Sequence, residues 1–491
     1  MKSNKMTNGS VWYNWIWRAM STSDGRFSFR VLLRSLDLVT HVNRALKRRR
    51  IKKKEAFKYK FPNKTERQIE LLLTAFRQLK EIEPALQSFV DEDIRIMDCY
   101  SPIVVKPNYC ITLKRFLDSI DHAYDRIIFV PWLKFGGADL LAVYATYAAQ
   151  IAHGDDSVLM LVADYDRIPA REWLRENTHV RVLSEFDPSL THVDRVELIK
   201  AIIHHLRPKS VLNINSHACW ETIFRYGTAL SLHTELYAML FCYEHTTDGC
   251  QRGYATDYFR HCIGHITKLY SDNAHFLSHL ADKYGLYQDL RKKLVPLYQP
   301  HGLPYQTSVA KRPRSFRRGE RLRVFWAGRI CRQKNPLLLI EIGKSCPDIT
   351  FDVYGVCDPE FQNAFQNNLS ANMSYKGPYR GFNSLPIEEY HVYLYTSLWD
   401  GLPNVLISAG LFGLPVVACG LEGIMELVDK TTGWPVEQYE QSDGYIDALR
   451  EIQENPDEAN LRGTALQHLV MTRHSWEAYM SAFSSPPSFL S

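Results

Sequence analysis

Short apolar runs alternate with helical or polar segments through the middle of the chain. The first run, Arg126–Val130, is followed by a glycine loop at Gly136 and Gly137 and by an alanine-rich helical stretch to His153. Similar runs of strand length recur at Val158–Ala163, Val180–Leu183, Val211–Asn215, Tyr237–Tyr243 and Ile266–Tyr270. Strands that are apolar throughout, with helices between them, favour a parallel sheet covered on both faces. A strand, a glycine loop and a helix form the opening of a Rossmann-like unit.

The same pattern restarts after a segment rich in Pro, Arg and Lys, residues 299–320, which has the composition of an inter-domain linker. A helix is predicted from Asn335 and another after Pro403, and the strands are predicted at Leu322–Trp326, Ile349–Val353, Val392–Tyr395 and Leu414–Ala418. The chain is therefore predicted to be an α/β protein with two tandem Rossmann-like domains, at 123–305 and 321–473, and a linker at 306–320.

Both ends of the chain depart from this pattern. Residues 1–122 are predicted to form a helical extension, with a helical pattern at Thr65–Phe89 and a basic run at Arg44–Lys60. The aromatic tail, 474–491, is predicted to form a helix that packs back on the first domain.

Charge is concentrated in one place. The chain of 491 residues has a net charge of +5, but ten Lys and Arg residues against one Glu lie within Arg44–Lys60. No apolar run approaches the roughly 20 residues of a spanning helix, and the N-terminus lacks the apolar core of a signal peptide. Ten cysteines are scattered without a Cys-x-x-Cys pair, which is typical of reduced thiols. These features predict a cytoplasmic protein.

The basic run has three interpretations: a solvated helix, a nucleic-acid patch, or a surface that binds anionic lipid. Near an anionic membrane each basic residue contributes about 1 kcal/mol, so half of the run would hold the protein there. No nucleic-acid recognition motif accompanies the charge. We therefore expect no nucleic-acid partner and a peripheral position at the inner face of the membrane.

The sequence suggests a binding site at Asp400 and the Gly-Leu-Pro turn, which directly precede the start of an apolar helix at Asn404. The first backbone N–H groups of a helix have no intrahelical partner and carry the positive end of its dipole. An anionic diphosphate can satisfy them, while Asp400 reaches sugar hydroxyls. Arg329 and Lys334 lie on an earlier strand-to-helix loop, so both cations can project from the same edge of a parallel sheet.

These segments, in this order, resemble the donor domain of the GT-B glycosyltransferases of family 4. The resemblance covers about Leu322 to Val436 and is weaker between Arg126 and His301. It is carried by Gly328-Arg329 with Lys334-Asn335-Pro336, Tyr354-Gly355, Tyr375-Lys376-Gly377, Tyr395 to Leu406, and Gly413 to Ala418.

The resemblance implies a retaining, metal-independent glycosyltransferase without a cofactor, whose nucleotide-sugar donor is a substrate. Arg329 and Lys334 would hold the diphosphate and Asp400 the donor sugar, as the candidate catalytic residues. The other predicted donor-binding residues are Gly328, Gly401, Pro403, Asn404, Val405, Ser408 and Glu426.

One position departs from the family pattern. In the family a second acid, separated from the first by seven residues, normally binds the ribose, whereas this chain has Ser408 there, and its first acid is the shorter Asp400. The neutral contact forfeits roughly 1–2 kcal/mol of donor affinity if nothing compensates. Glu426, near the next helix start, is the nearest acid that could compensate; its alternative role is an ordinary helix-start acid.

In the first domain the resemblance implies that Gly136, Gly137 and Asp139 form an acceptor or phosphate loop; the alternative is a simple tight turn. His217 follows the fourth predicted strand, where the family often places a histidine, and is a weak catalytic candidate. Asp164-Tyr165-Asp166 has the Asp-x-Asp form of metal-dependent transferases, but such short acidic patterns are common in loops. Histidines and cysteines form only loose clusters, so we expect no metal site.

These observations predict an enzyme that moves a sugar from a nucleotide donor to a cell-surface polysaccharide, lipopolysaccharide or lipid-linked glycan. Two alternatives stay open: a GT-B scaffold that serves as a non-catalytic binding subunit, and a sugar-nucleotide epimerase.

Overall fold

Two parallel sheets, each covered by helices, make up the part of the protein that the computed structural model describes, residues 107–303, 313–314 and 316–491. The predicted extension 1–122 lies outside these residues apart from its last part, which contains helix α1, Pro107–Asp118. The helical pattern Thr65–Phe89, the basic run Arg44–Lys60 and much of the predicted linker 306–320 also lie outside them.

The first sheet has seven parallel strands in the order β3-β2-β1-β4-β5-β8-β9. The strands are β1 Arg126–Val130, β2 Val158–Val162, β3 His179–Val182, β4 Ser210–Ile214, β5 Glu235–Met239, β8 Lys268–Ser271 and β9 Leu294–Pro296, and β6 Glu244–His245 and β7 Gln251–Arg252 form a separate antiparallel hairpin. The helices of this half are α2 Gly137–His153, α3 Leu183–Phe186, α4 His192–Leu206, α5 His217–Leu230, α6 Tyr254–Asp257, α7 Phe259–Cys262, α8 Ala274–Lys283 and α9 Gln288–Arg291.

The second sheet has six parallel strands in the order β12-β11-β10-β13-β14-β15. They are β10 Arg323–Ala327, β11 Thr350–Tyr354, β12 Met373–Gly377, β13 Val392–Tyr395, β14 Val416–Cys419 and β15 Trp434–Val436. The helices are α10 Pro336–Ser345, α11 Pro359–Gln366, α12 Asn404–Leu411, α13 Glu422–Met425, α14 Asp443–Glu454 and α15 Pro456–Arg473, followed by α16 Trp476–Phe483 in the tail. The prediction of two tandem Rossmann-like units is confirmed.

The structure corrects some predicted strands. The run predicted as a strand at Tyr237–Tyr243 leaves the sheet after Met239, although Leu240 and Tyr243 are buried. Both side chains belong to the core of the first domain, where the Tyr243 ring contacts Phe276 of α8 with centroids 5.3 Å apart, and this packing explains why these positions are apolar. Strands β9, β12 and β15 are short or polar, and their apolar pattern was too weak to predict them.

The two faces of the first sheet have different cores. Ile127 and Phe129 of β1 face one helical layer, whereas Ile128 and Val130 face the other. That second layer includes the tail, where Tyr479, Phe483, Phe489 and Leu490 are buried against the sheet. The buried Arg126 side chain donates through Nε to the carbonyl of Phe489 at 2.8 Å. The tail thus belongs to the core of the first domain.

The chain crosses between the two domains at neighbouring points. The imidazole of His474, at the end of α15, lies 2.7 Å from the carbonyl oxygen of Gln299. The backbone N–H of His301 donates to the carbonyl of His474 at 2.8 Å. The Gln299 amide in turn donates to the carbonyl of Leu402 at 2.6 Å. These contacts fasten the crossing segments to the loop that precedes α12.

Within the described ranges, no helix combines the length and apolar character needed to cross a membrane. The nine cysteines described there are free thiols, and five of them are buried.

Candidate active site

The strand order places one loop pair at the reversal point of the second sheet. The strands that follow β10 along the chain lie first on one side of it and then, from β13 onward, on the other, so the strand order reverses between β10 and β13. Ligands of open α/β sheets bind beyond the carboxyl ends of the strands at such a point. The loops after these two strands are 328–335 and 396–403. They are tied together because Thr396 Oγ1 donates to the Lys334 carbonyl at 2.9 Å and the Leu398 N–H donates to the Gln333 carbonyl at 2.8 Å.

A cation and an acid meet at this point. The ammonium group of Lys334 forms an ion pair with Asp400 and also donates to the hydroxyl of Tyr395 at 2.6 Å. The Tyr395 hydroxyl itself donates to the same carboxylate oxygen of Asp400. Burial raises the pKa of Tyr395 well above its ordinary value, so its hydroxyl keeps the proton that it donates. Two predicted site residues are therefore in direct contact, with Tyr395 as a partner that the sequence analysis did not single out.

Arg329 takes a separate position on the same loop. Its side chain is 61% exposed, and its Nε lies 3.8 Å from the carboxylate of Asp358. The backbone N–H of Gly328, the residue before Arg329, donates to the carbonyl of Tyr354 at 3.0 Å. The neighbouring Gly355 has φ of 151°, and a Cβ there would lie 1.7 Å from the Gly328 carbonyl oxygen. The loop backbone is therefore packed closely, while the Arg329 guanidinium is accessible.

Helix α12 begins at Asn404 without a side-chain cap, because the preceding residue is Pro403. The Asn404 amide instead donates to the carbonyl of Gly137 in the first domain at 3.2 Å. Val405 is half-buried against the core of the second domain. The start of this helix therefore faces the glycine loop, and among the described residues no side chain caps its first N–H groups.

Ser408 points back into its own helix. Its hydroxyl donates to the carbonyl of Asn404, one turn earlier, at 2.9 Å. This local bond is common for serine inside helices. In this arrangement the hydroxyl is engaged by the helix.

Glu426 is engaged between the two domains. One carboxylate oxygen accepts the N–H of His275 at 2.8 Å, and the other accepts the Tyr298 hydroxyl at 2.6 Å. His275 lies in the first turn of α8, where an acid is stabilised by unpaired N–H groups. Here Glu426 serves as an inter-domain cap.

A buried acid of the first domain supports the turn before α12. Asp272, which follows β8, accepts the N–H of Leu402 at 2.8 Å. Burial raises the pKa of Asp272 to about 7. A Cβ on Gly401 would lie 2.6 Å from this carboxylate, so only glycine fits the turn here without displacement. The sequence contains no signal for this contact, because Asp272 and Gly401 lie in different domains.

The glycine loop of the first domain is ordered by Asp139. Its carboxylate accepts the N–H of Lys134 at 3.1 Å, and burial raises its pKa to about 6. Gly136 lies directly over it, since a Cβ on Gly136 would lie 2.6 Å from the carboxylate. Asp139 thus closes the loop, and the carbonyl of Gly137 is left to face Asn404.

Arg332 and Gln333, between the two predicted cations, have contacts that the sequence did not reveal. The Arg332 guanidinium donates to the carbonyls of His245 and Thr246, in the hairpin of the first domain, at 3.2 and 2.8 Å. The Gln333 amide donates to the carbonyl of Trp399 at 2.9 Å. Both residues hold the loop on which Lys334 lies.

His217 and Asp164 lie at the corresponding edge of the first sheet. His217 is the first residue of α5, directly after β4. The Asp164 carboxylate accepts the N–H groups of His217 and Ala218 at 3.1 and 2.8 Å. Asp164 therefore caps a helix, and nothing joins this group to the Lys334 and Asp400 pair among the contacts of the described residues.

Comparison with known proteins agrees with this architecture. Residues 321–455 match the family model described as glycosyl transferases group 1. The UDP-Gal:alpha-D-GlcNAc-diphosphoundecaprenol alpha-1,3-galactosyltransferase of Escherichia coli is 29% identical over 133 residues, which are 25% of this chain and 34% of that protein. The match thus spans about a third of the length of that relative.

Solved structures extend the likeness to both domains. HepE of Anabaena, in complex with UDP and glucose, superposes with a TM-score of 0.54 at 14% identity, covering 73% of this chain and 97% of that one. The lipopolysaccharide outer core galactosyltransferase WaaB gives 0.55 at 13% identity, with 73% and 97% coverage. TarM gives 0.56 at 12% identity, with 74% and 98% coverage. At these identities the likeness concerns the fold.

The two tandem α/β domains have the GT-B fold of these solved structures. The donor-side part of this chain, residues 321–455, carries the sequence pattern of the glycosyl transferases group 1, and the predicted resemblance is confirmed. Both the matching family model and the Escherichia coli relative are described as glycosyltransferases.

Proposed function

We propose that this protein transfers a sugar from a UDP-sugar to a cell-surface polysaccharide, lipopolysaccharide or lipid-linked glycan, with retention of anomeric configuration and without a metal at the donor site. The observation that carries the proposal is the contact of Lys334 with Asp400 at the reversal point of the second sheet, beside the uncapped start of α12. A cation, an acid and free helix N–H groups are the groups that a sugar diphosphate needs.

The names of the relatives support the proposed donor and acceptor classes. HepE is described in complex with UDP and glucose, and the Escherichia coli relative by its name uses UDP-Gal and a diphosphoundecaprenol-linked sugar. WaaB is named as a galactosyltransferase of the lipopolysaccharide outer core. A UDP-hexose donor and a glycan acceptor at the cytoplasmic face of the membrane are therefore the proposal for this chain. The basic run Arg44–Lys60 would supply the attraction to anionic lipid.

Each group has a defined role in the proposed reaction. The N–H groups of Asn404 and Val405, together with Lys334 and Arg329, would bind the diphosphate and stabilise the negative charge that develops as it departs. Asp400 would accept hydrogen bonds from hydroxyls of the donor sugar. The bond between the anomeric carbon and the diphosphate oxygen breaks, a bond to an acceptor hydroxyl oxygen forms, and the hydroxyl proton passes to the departing diphosphate. The contact of Asn404 with the carbonyl of Gly137 supports an acceptor loop beside the proposed donor site.

The test compares nucleotides by thermal stability and then measures transfer. A ligand at a hundred times its dissociation constant stabilises a protein by about 2.7 kcal/mol, so UDP should raise the unfolding temperature while GDP, dTDP and CMP should not. Arg329→Ala should remove the shift, and Arg318→Ala, in the exposed segment before β10, is the control. Incubation with UDP-glucose or UDP-galactose and a lipid-diphosphate-linked N-acetylglucosamine should then give a longer glycan and UDP.

The same experiment separates the alternatives. Altered sugar nucleotide without acceptor would identify an epimerase. A UDP shift without any transfer would favour the binding subunit, and the absence of any nucleotide shift would contradict the donor site itself.

The binding-subunit alternative has a specific observation in its favour. The ribose acid of the family is replaced by Ser408, whose hydroxyl is engaged by its own helix, and Glu426 is engaged by the first domain. Ser408→Glu tests this point, since an added charge-assisted bond of about 1.5 kcal/mol should strengthen UDP binding roughly tenfold. Ser408→Gln, of similar size without the charge, is the control. An unchanged dissociation constant would show that the ribose is held elsewhere or not at all.

A further inference from the structure

Two histidines and one glutamate converge at the edge of the first sheet. His217 and Glu221 lie one turn apart on the same face of α5, and His192 is the first residue of the adjacent helix α4. Residues four apart on a helix are neighbours on its surface, so the backbone alone brings His217 and Glu221 together. The packing of α4 against α5 supplies the third side chain.

The side-chain geometry suits one shared ion. One ligand atom from each of the three side chains lies within 4.8 Å of the other two. The rings of His192 and His217 are stacked, with centroids 4.2 Å apart and planes at 26°. Zinc is bound at about 2 Å by imidazole nitrogen and carboxylate oxygen, so ligand atoms around it lie roughly 3–3.5 Å apart. Small side-chain rotations would bring these three groups to that spacing.

Neighbouring groups hold two of these side chains in place. The Tyr258 hydroxyl donates to one Glu221 oxygen at 2.7 Å and lies 2.9 Å from Nε2 of His217. The Arg225 guanidinium donates to the other Glu221 oxygen at 2.6 Å. Hydrogen-bonded partners of this kind orient the ligands in known metal sites. The positive charge of Arg225 disfavours a bound cation, whereas the carboxylate of Asp164, at the start of α5, favours one.

We propose that His192, His217 and Glu221 form a site for one divalent transition-metal ion of the zinc type on the first domain. Two imidazoles and a carboxylate are a ligand set that zinc takes with a fourth position left for water or another oxygen ligand. The site lies beside β4, on the other domain from Lys334 and Asp400, and its metal binding can be measured without nucleotide or acceptor.

A second group of similar residues provides an internal comparison. His122, Asp156 and His179 also lie within reach of one another. However, both ring nitrogens of His122 already have oxygen partners, the Asp121 carboxylate at 2.7 Å and the Asp156 carbonyl at 3.2 Å. This group lies at the amino ends of the strands, because His179 begins β3 and Asp156 precedes β2. An imidazole nitrogen has a single lone pair, so a metal at His122 would have to displace one of these bonds. A carboxylate oxygen of Glu221 can accept a hydrogen bond and bind a metal together, and the Tyr258 hydroxyl contacts His217 through Nε2 and leaves Nδ1 for the metal, so we assign the site to the first group.

The proposal is tested by zinc binding to the full-length protein after removal of any affinity tag. Protein dialysed against EDTA is titrated with zinc chloride by calorimetry near neutral pH. We expect uptake of one zinc ion at the site, a loss of this uptake in His217→Ala and Glu221→Gln, and about tenfold weaker binding in Tyr258→Phe, because orienting partners contribute about that much. His468→Ala, which changes an exposed histidine on α15 in the second domain, should bind as the unchanged protein does.

Cobalt chloride provides a second readout that does not depend on a folding defect in the variants. Cobalt bound in the unchanged protein should show the intense visible absorption of a tetrahedral or five-coordinate site, and zinc should displace it. Circular dichroism in EDTA confirms that each variant is folded. The proposal is overturned if the unchanged protein takes up no zinc, if His217→Ala binds zinc as before, or if only a double substitution of His122 and His179 removes the binding.

Discussion

The reversal points of the two sheets have the same topology but different chemistry. In the second domain, the loops after β10 and β13 bring together a lysine, an acid and an uncapped helix start. In the first domain, the loop after β1 presents a glycine carbonyl, and the segment after β4 presents His217 at a capped helix. The fold therefore supplies two equivalent edges, and it is the side chains that give the second edge the groups of the proposed diphosphate site.

The two edges also differ in how their residues are distributed along the chain. In the second domain, Asp400, Gly401, Pro403 and Asn404 lie on one short segment, so the candidate site can be recognised from the sequence. The first domain contributes Asp272, far from its partner Leu402, and this contact exists only after folding. The candidate site of the second domain is thus visible as a local motif, whereas the residues of the first domain that support it are brought there by tertiary structure.

If the second edge carries the chemistry, Lys334→Ala should have the largest effect. Loss of the cation from the departing diphosphate is expected to lower kcat by about 10²–10³-fold, which is the range for removal of one positioned electrostatic group. Initial rates of UDP release at saturating donor would measure it. Lys344→Ala, at the exposed end of α10, is the matched control. A rate within twofold of the unchanged protein would place the diphosphate elsewhere.

The pH dependence of the free energy of unfolding tests the role of Asp272, the buried acid of the first domain that contacts the turn before α12. The unfolded chain loses this proton near pH 4, whereas burial raises the pKa of the folded carboxyl to about 7. The folded state binds the proton more tightly, so the free energy of unfolding should fall as pH rises from about 4 to 7 and change no further above that range. The effect is on the order of 2–4 kcal/mol.

Asp272→Asn cannot ionise but can still accept the Leu402 N–H, so its stability should lack this pH dependence. Thermal unfolding of both proteins at pH values on each side of the window would show the difference. The exposed Asp289→Asn serves as the control. Parallel pH curves for the unchanged protein and Asp272→Asn would mean that the folded carboxyl titrates normally.

Gly401→Ala tests how closely the two edges meet. The added Cβ would lie 2.6 Å from the Asp272 carboxylate and 2.9 Å from the carbonyl of Phe241, so one of the loops must move. A cost of about 1–3 kcal/mol in unfolding free energy is expected, with weaker UDP binding because the start of α12 shifts. Gly264→Ala has open space around its Cβ and should be nearly neutral. Equal effects of the two substitutions would argue against a close contact.

The smallest effect is expected from Asn404→Ala, which removes the hydrogen bond to Gly137. A net loss of about 0.5–1.5 kcal/mol predicts a rise in acceptor KM of two- to tenfold with a smaller change in UDP affinity. Asn460→Ala, at an exposed position of α15, is the control. A change confined to UDP affinity would show that Asn404 serves the donor and not the acceptor loop.

Much of the fold could be predicted because β1, β2, β4 and β13 are buried throughout and therefore read as continuous apolar runs. Strands β12 and β15 could not, since β12 alternates between buried and exposed positions and β15 is only three residues long. Of the candidate site, the meeting of Lys334 with Asp400 follows from parallel strand order. The engagement of Glu426 by His275 and Tyr298 does not, because it depends on how two domains pack. Roles for the remaining predicted site residues stay predictions.

The placement of the tail has a consequence for how such proteins can be recombined. Because residues 476–490 complete the core of the first sheet, the second domain is topologically an insertion, entered near Leu303 and left at His474. A segment between these two adjacent points could be exchanged as a cassette from another enzyme without disturbing the host core. A cut placed after α15 that discarded the tail would instead expose the apolar face of the first sheet. Engineering of donor choice in this architecture should therefore proceed by internal grafting, and not by joining an N-terminal half to a foreign C-terminal half.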